Sequence, residues 1–165
     1  MSPILDQHAL GFVSHSTEQT RRLGARLSQL FEGGEVVLLS GDLGTGKTCL
    51  VQGIGWGLGV EEPIASPTFT LVNEYHGTQL DLYHVDLYRI ANVKATLTFG
   101  LDEYLYGAGV CAIEWPERVK ELWPAEYLLV HLRHIDETKR GLTLHGVGSR
   151  YDRMIRRFRR QAFGV

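Results

Sequence analysis

The sequence predicts a three-layer α/β fold: a mixed, mostly parallel central sheet flanked by helices. Three observations lead there. Val36-Val37-Leu38-Leu39 is a short, unbroken apolar run, as expected of a strand buried on both faces. It leads straight into a glycine-rich turn and then a helical stretch, the strand–turn–helix order of α/β proteins. More strand candidates follow, and their tight spacing around Gly77-Thr78 reads as a hairpin, which makes the sheet mixed.

The elements follow in order. Ser16-Thr17-Glu18-Gln19 has capping-box spacing, with Ser16 as N-cap. Leu23, Leu27, Leu30 and Phe31 continue at helical spacing until Gly33-Gly34 stops the helix. The helix after the glycine-rich turn spans about 47–58 and contains Gly53, Gly55 and Gly57. Each glycine costs about 1 kcal/mol relative to alanine in a helix interior, so packing of Val51, Ile54 and Leu58 has to hold it. Pro63-Ile64-Ala65-Ser66-Pro67-Thr68 reads as a loop. Strands are expected at 70–75, 80–88, 110–114, 127–132 and 142–147, with a helix near 94–106. No linker or internal repeat divides the chain, so residues 1–165 read as a single domain with its core at about 12–147.

The 165 residues are 44% hydrophobic and 22% charged, an ordinary globular balance that excludes wholesale disorder. No run reaches the roughly 18 apolar residues of a membrane span. The start, Met1-Ser2-Pro3-Ile4-Leu5-Asp6, shows no signal-peptide pattern, so a cytoplasmic protein is expected. Two cysteines, Cys49 and Cys111, cannot build a disulfide framework and lack metal-ligand spacing. The net charge of −2 is unevenly spread: residues 150–165 carry six arginines and one acid, or +5, which leaves −7 for the rest. Tyr151, Ile155, Phe158 and Ala162 are spaced to dock a C-terminal helix, about 150–163, with its arginines in water. A contact with RNA through that outer face is the functional alternative.

Gly41-Asp42-Leu43-Gly44-Thr45-Gly46-Lys47-Thr48 matches G-x-x-x-x-G-K-[ST] at every fixed position. This is the P-loop pattern, and with a strand before it and a helix after it a P-loop NTPase-like fold is expected. Glycines let backbone N–H groups turn inward and approach phosphate oxygens closely. The helix N-terminus adds its positive end, Lys47 reaches the β- and γ-phosphates, and the Thr48 hydroxyl suits Mg²⁺. No N-K-x-D guanine element is present, which favours ATP.

Such a loop needs a carboxylate, commonly at the end of a neighbouring strand. Val110-Cys111-Ala112-Ile113-Glu114 has that form, and Leu82-Tyr83-His84-Val85-Asp86 supplies a second candidate. One acid would serve the metal and the other the attacking water or the metal's water shell. Ser66-Pro67-Thr68 could sense the γ-phosphate. His131 and His134, three apart on a strand, fall on opposite faces. His8, His15, His76, His84 and His145 are scattered, so no histidine metal site is expected.

Four blocks together resemble the TsaE family, the bacterial ATPases of tRNA N6-threonylcarbamoyladenosine (t6A) biosynthesis. They are the P-loop itself, Ser66-Pro67-Thr68-Phe69-Thr70-Leu71-Val72, His84-Val85-Asp86-Leu87-Tyr88-Arg89, and Ile113-Glu114-Trp115-Pro116-Glu117. The resemblance covers about 12–147. It implies a minimal ATPase working with the TsaB–TsaD pair, in which TsaD modifies A37 of tRNAs reading ANN codons. It also implies that Leu43, Gly44, Thr45, Gly46, Lys47 and Thr48 bind ATP phosphates. Thr48 and Glu114 would hold Mg²⁺, Asp86 would support hydrolysis, and Thr17 would touch the nucleotide. Trp115 matches the family's E-W-P tryptophan. Cys49 stands where members often have threonine, and is expected to pack in a buried position. Two other readings of a P-loop fold are a small-molecule kinase and a nucleotide-dependent binding module. No lid-sized insertion rich in arginine supports the first, and the paired acids argue against the second.

Overall fold

The computed structural model describes residues 4–5, 8–67 and 69–164, so Thr68 of the sensor candidate lies outside the described residues. Eight strands form one sheet: β1 (Ile4–Leu5), β2 (Ala9–Ser14), β3 (Val36–Ser40), β4 (Val72–Tyr75), β5 (Leu82–Asp86), β6 (Val110–Glu114), β7 (Tyr127–His134) and β8 (Arg140–Val147), in the order β1-β2-β8-β7-β3-β6-β5-β4. The centre, β7-β3-β6-β5, is parallel, and antiparallel neighbours close both sides. Tracing those pairings, β2, β3, β5, β6 and β7 run one way and β1, β4 and β8 the other. The sheet is thus mixed and mostly parallel, as the sequence predicts. The expected hairpin joins β4 and β5.

Side chains alternate across the sheet with the period of two that strands impose. Val37, Leu39, Leu82, Val110 and Ala112 face α1 (Thr17–Ser28), α2 (Lys47–Leu58) and α4 (Ser149–Phe163). Val36, Leu38, Val85, Cys111 and Ile113 face α3 (Leu101–Leu105) and two 3-10 segments, Val93–Thr98 and Pro116–Leu122. The three layers follow directly.

The Ser16 hydroxyl accepts the Gln19 N–H at 3.0 Å, and Gln19 Oε1 reaches back to the His15 N–H at 2.6 Å, one residue earlier than a strict capping box. A Cβ at Gly53 would lie 2.0 Å from the Arg21 carbonyl, so this glycine lets α2 rest directly on α1. The close approach offsets the low helix propensity. Helix α4 docks through Tyr151, Met154, Ile155 and Phe158, leaving Arg153, Arg156, Arg157 and Arg160 exposed. Arg150 is committed to the body, at 2.6 Å from both Glu35 Oε2 and the Gly33 carbonyl. Among the described residues no helix is long and apolar enough to cross a membrane.

Several boundaries differ from expectation. The helix foreseen near 94–106 is a 3-10 segment and the short α3, separated at Gly100, whose φ of +66° is left-handed. Strand 70–75 begins only at Val72, because Leu71 sits at φ +67°. The expected strand 80–88 contracts to Leu82–Asp86, since the chain then turns, with the Tyr88 N–H on Asp86 Oδ1 and the Ile90 N–H on the Leu87 carbonyl. Strands β1 and β2 and the Pro116–Leu122 segment were not foreseen at all.

Candidate nucleotide and metal site

The site is assembled where three parallel strands end. Strand register places Leu39 beside Glu114 and Glu114 beside Asp86, so the P-loop leaving β3 emerges next to both carboxylates. A cavity of about 600 Å³ opens there, lined by Leu43, Gly44, Gly46, Lys47, Thr48, Ser66, Asp86 and Glu114 among others. Helix α2 starts at this cavity with no side-chain cap, so its first N–H groups are available to an anion. The loop's shape requires glycine at its base. Gly41 has φ +144°, and a Cβ there would lie 2.3 Å from the Leu132 carbonyl.

Lys47 is buried, and its Nζ donates to the Gly41 carbonyl. The same ammonium stands 3.9 Å from the centre of the Trp115 ring. Burial draws its pKa below the ordinary lysine value, opposed by Glu114, Glu117, Asp86 and Asp42 in that order. Thr48 Oγ1 donates to Glu114 Oε2 at 3.3 Å, so the two expected metal ligands are neighbours. Asp86 is held by the Ser66 hydroxyl at 3.1 Å and the Tyr88 N–H at 2.9 Å. Both acids are nearly covered, Glu114 at 4% exposed and Asp86 at 6%.

The remaining expected residues divide. Leu43 is exposed at the loop tip, and Gly44 and Gly46 line the cavity. Thr45 is buried and donates to the Asp42 carbonyl at 2.8 Å, so it shapes the loop from within. Thr17 lies on the cavity wall at the start of α1, beside Ser16 and Thr20. Cys49, expected to be buried, is half-exposed and also lines the cavity, because α2 turns this first-turn position toward α1 and the mouth.

Two residues in the site were not picked out from sequence. Arg140, at the start of β8, donates to the Gly44 carbonyl at 3.3 Å and lines the cavity from across the P-loop. His84, set aside among scattered histidines, is fully buried with Nε2 at 2.6 Å from Glu114 Oε2. Its signal was positional: two residues before Asp86 on a strand, it shares that residue's face.

The donors suit a hard cation bound with phosphates. A threonine hydroxyl and carboxylate oxygens are Mg²⁺ ligands, and Mg²⁺ ordinarily takes one or two carboxylates plus phosphate and water. Among the described residues no group of three or more His, Cys, Asp or Glu could hold a metal by itself.

A glycine loop between β3 and α2, facing acids at the ends of adjacent parallel strands, defines a P-loop α/β protein. The sequence profile described as "Threonylcarbamoyl adenosine biosynthesis protein TsaE" matches residues 14–142, and this chain belongs to that family. It is 46% identical over 132 residues to the tRNA threonylcarbamoyladenosine biosynthesis protein TsaE of Treponema pallidum, covering 80% of this chain and 97% of the relative. The protein of the same name from Bacillus subtilis is 38% identical over 135 residues, 82% of this chain and 84% of the relative. The crystal structure of Bacillus subtilis YdiB superposes with a TM-score of 0.82 at 32% identity, covering 93% of this chain and 96% of that one.

Proposed function

We propose that this protein is a cytoplasmic, Mg²⁺-dependent ATPase that serves t6A formation at position 37 of tRNAs reading ANN codons, acting with TsaB and TsaD. Membership of a family whose relatives are named for t6A biosynthesis supports the pathway. The observation that carries the ATPase reading is the adjacency of Asp86 and Glu114 at strand ends facing Lys47 and Thr48. Backbone N–H groups of residues 43–48 and the Lys47 ammonium would hold the phosphates. Mg²⁺, when bound, offsets charge on the β- and γ-phosphate oxygens. Thr48 and Glu114 would hold it, while Asp86, anchored by Ser66 and Tyr88, would orient the attacking water.

Among the described residues, both arginines that line the cavity are engaged elsewhere, Arg140 on the Gly44 carbonyl at 3.3 Å. Arg89 lines the cavity, but its guanidinium is stacked over Phe69 at 4.8 Å, so hydrolysis by the isolated protein is expected to be slow. A partner would supply or order the missing charge. ATP turnover measured alone and with TsaB–TsaD and tRNA tests this reading: stimulation supports it, and equal rates with and without the partners would refute it. The exposed Arg153, Arg156, Arg157 and Arg160 are the groups of α4 available to RNA phosphates. Replacing the four should weaken tRNA binding and flatten its salt dependence.

A further inference from the structure

We propose that His84 is a positioning residue for the metal carboxylate: its Nε2–H grips Glu114 Oε2, which fixes the carboxylate and presents Oε1 to the metal. The inference rests on the Mg²⁺–ATP reading above and adds a residue to it.

The geometry begins with strand register. His84 on β5 faces the same side as Asp86, and its register partner on β6 is Ala112, two residues before Glu114. Alanine leaves room for the imidazole to lean diagonally along β6 and meet Glu114 at 2.6 Å. The ring is wholly buried, and Nδ1 has no hydrogen-bond partner among the described residues. That combination selects one tautomer. An Nδ1–H form would set a bare Nε2 lone pair against a carboxylate oxygen and leave an orphaned buried donor. The Nε2–H form makes a short charge-assisted bond and leaves only a weakly demanding lone pair unmatched.

The bond also falls on a chosen oxygen. Thr48 Oγ1 and His84 Nε2 both address Oε2, so the contacts converge on one oxygen of a residue that lines the cavity. A carboxylate free to rotate would lose part of its coordination energy to ordering when metal arrives. Groups that hold metal ligands in this way commonly change metal affinity 10–100-fold when removed.

The test measures Mn²⁺ affinity of the ATP-bound protein by electron paramagnetic resonance, and metal-free ATP affinity by calorimetry. His84→Phe keeps a ring without a donor, and His84→Met replaces it should Phe not fold. Either should weaken Mn²⁺ about 10-fold or more, with metal-free ATP affinity unchanged. His84→Gln carries an N–H the same number of bonds from Cα and should restore most of the affinity. Unchanged Mn²⁺ affinity in the donorless variant, or an equal loss of metal-free ATP affinity, would overturn the proposal. So would a ¹⁵N imidazole spectrum of the wild-type protein showing Nδ1 protonated at His84. Failure of the wild-type protein to couple Mn²⁺ to ATP at all would instead refute the Mg²⁺–ATP reading beneath it.

Discussion

The ammonium of Lys47 lies 3.9 Å from the centre of the Trp115 indole, and Trp115 reaches it from a left-handed backbone conformation at φ 59°. A tryptophan there, immediately before Pro116, is strained, and such strain gathers at functional sites. The ring also meets Tyr88 at 5.0 Å, so indole and phenol wall the cavity together.

Phosphates entering the loop should draw Lys47 away from both the Gly41 carbonyl and the ring. Adding ATP is expected to change tryptophan emission, and Trp115→Phe should remove most of that change although Trp56 and Trp123 remain. A cation–π contact of this kind contributes about 0.5–2 kcal/mol, ATP has to break it and Phe retains part of it, so ATP affinity should be unchanged or rise by no more than about threefold. An undiminished signal in Trp115→Phe would mean that the emission change does not arise at Trp115.

The base and the middle of the P-loop should respond differently to a methyl group. Gly44 has φ +76° with open space around its Cβ position, so Gly44→Ala should cost about 1 kcal/mol, the left-handed penalty alone. Gly41→Ala adds a clash with the Leu132 carbonyl and should cost about 3 kcal/mol. Urea unfolding of the two variants checks the order.

Burial pushes the Cys111 thiol from 9.0 up to about 12, whereas Cys49 is half-exposed. One thiol per chain should therefore react quickly with a disulfide reagent at pH 8, and two after denaturation. The folded pKa is the higher one, so the stability linked to Cys111 is whole below pH 9. It is lost as pH climbs from 9 toward 12, where the unfolded thiol ionises first. Cys111→Ser, with its hydroxyl un-ionised, should show a shallower alkaline decline in urea midpoint.

Glu35 is buried at the mouth of β3, accepting the N–H groups of Glu32 and Gly33 at 2.7 Å each and the Arg150 guanidinium at 2.6 Å. Arg150→Met strands that carboxylate without its counter-charge and should cost about 3 kcal/mol. Thermal unfolding measures it. A loss below about 0.5 kcal/mol would place Arg150 with the free surface arginines.

What the sequence disclosed follows from how local each signal is. The P-loop and β3 were legible because fixed glycines, Lys47, Thr48 and four consecutive apolar residues lie within thirteen positions. The acids Asp86 and Glu114 were legible as strand ends, and Ser16 as a cap. Strand β2 was missed because Gly11 weakens a short strand whose only fully apolar inward positions are Leu10 and Phe12. The break at Gly100 was hidden because Lys94 to Tyr106 carries a helix-like apolar spacing on either side of it. Arg140 and His84 entered the site through pairing across the sheet, 96 positions from Gly44 and 30 from Glu114. No spacing along the chain encodes such a contact.

The most direct test of the central claim is ATP hydrolysis by Glu114→Gln and Asp86→Asn, each measured with TsaB–TsaD and tRNA beside an ATP-binding assay. Both changes keep shape and remove a charge that the site directs at its reacting centre. Each should lower turnover at least about 100-fold while ATP still binds. Full hydrolysis in either variant would contradict that claim.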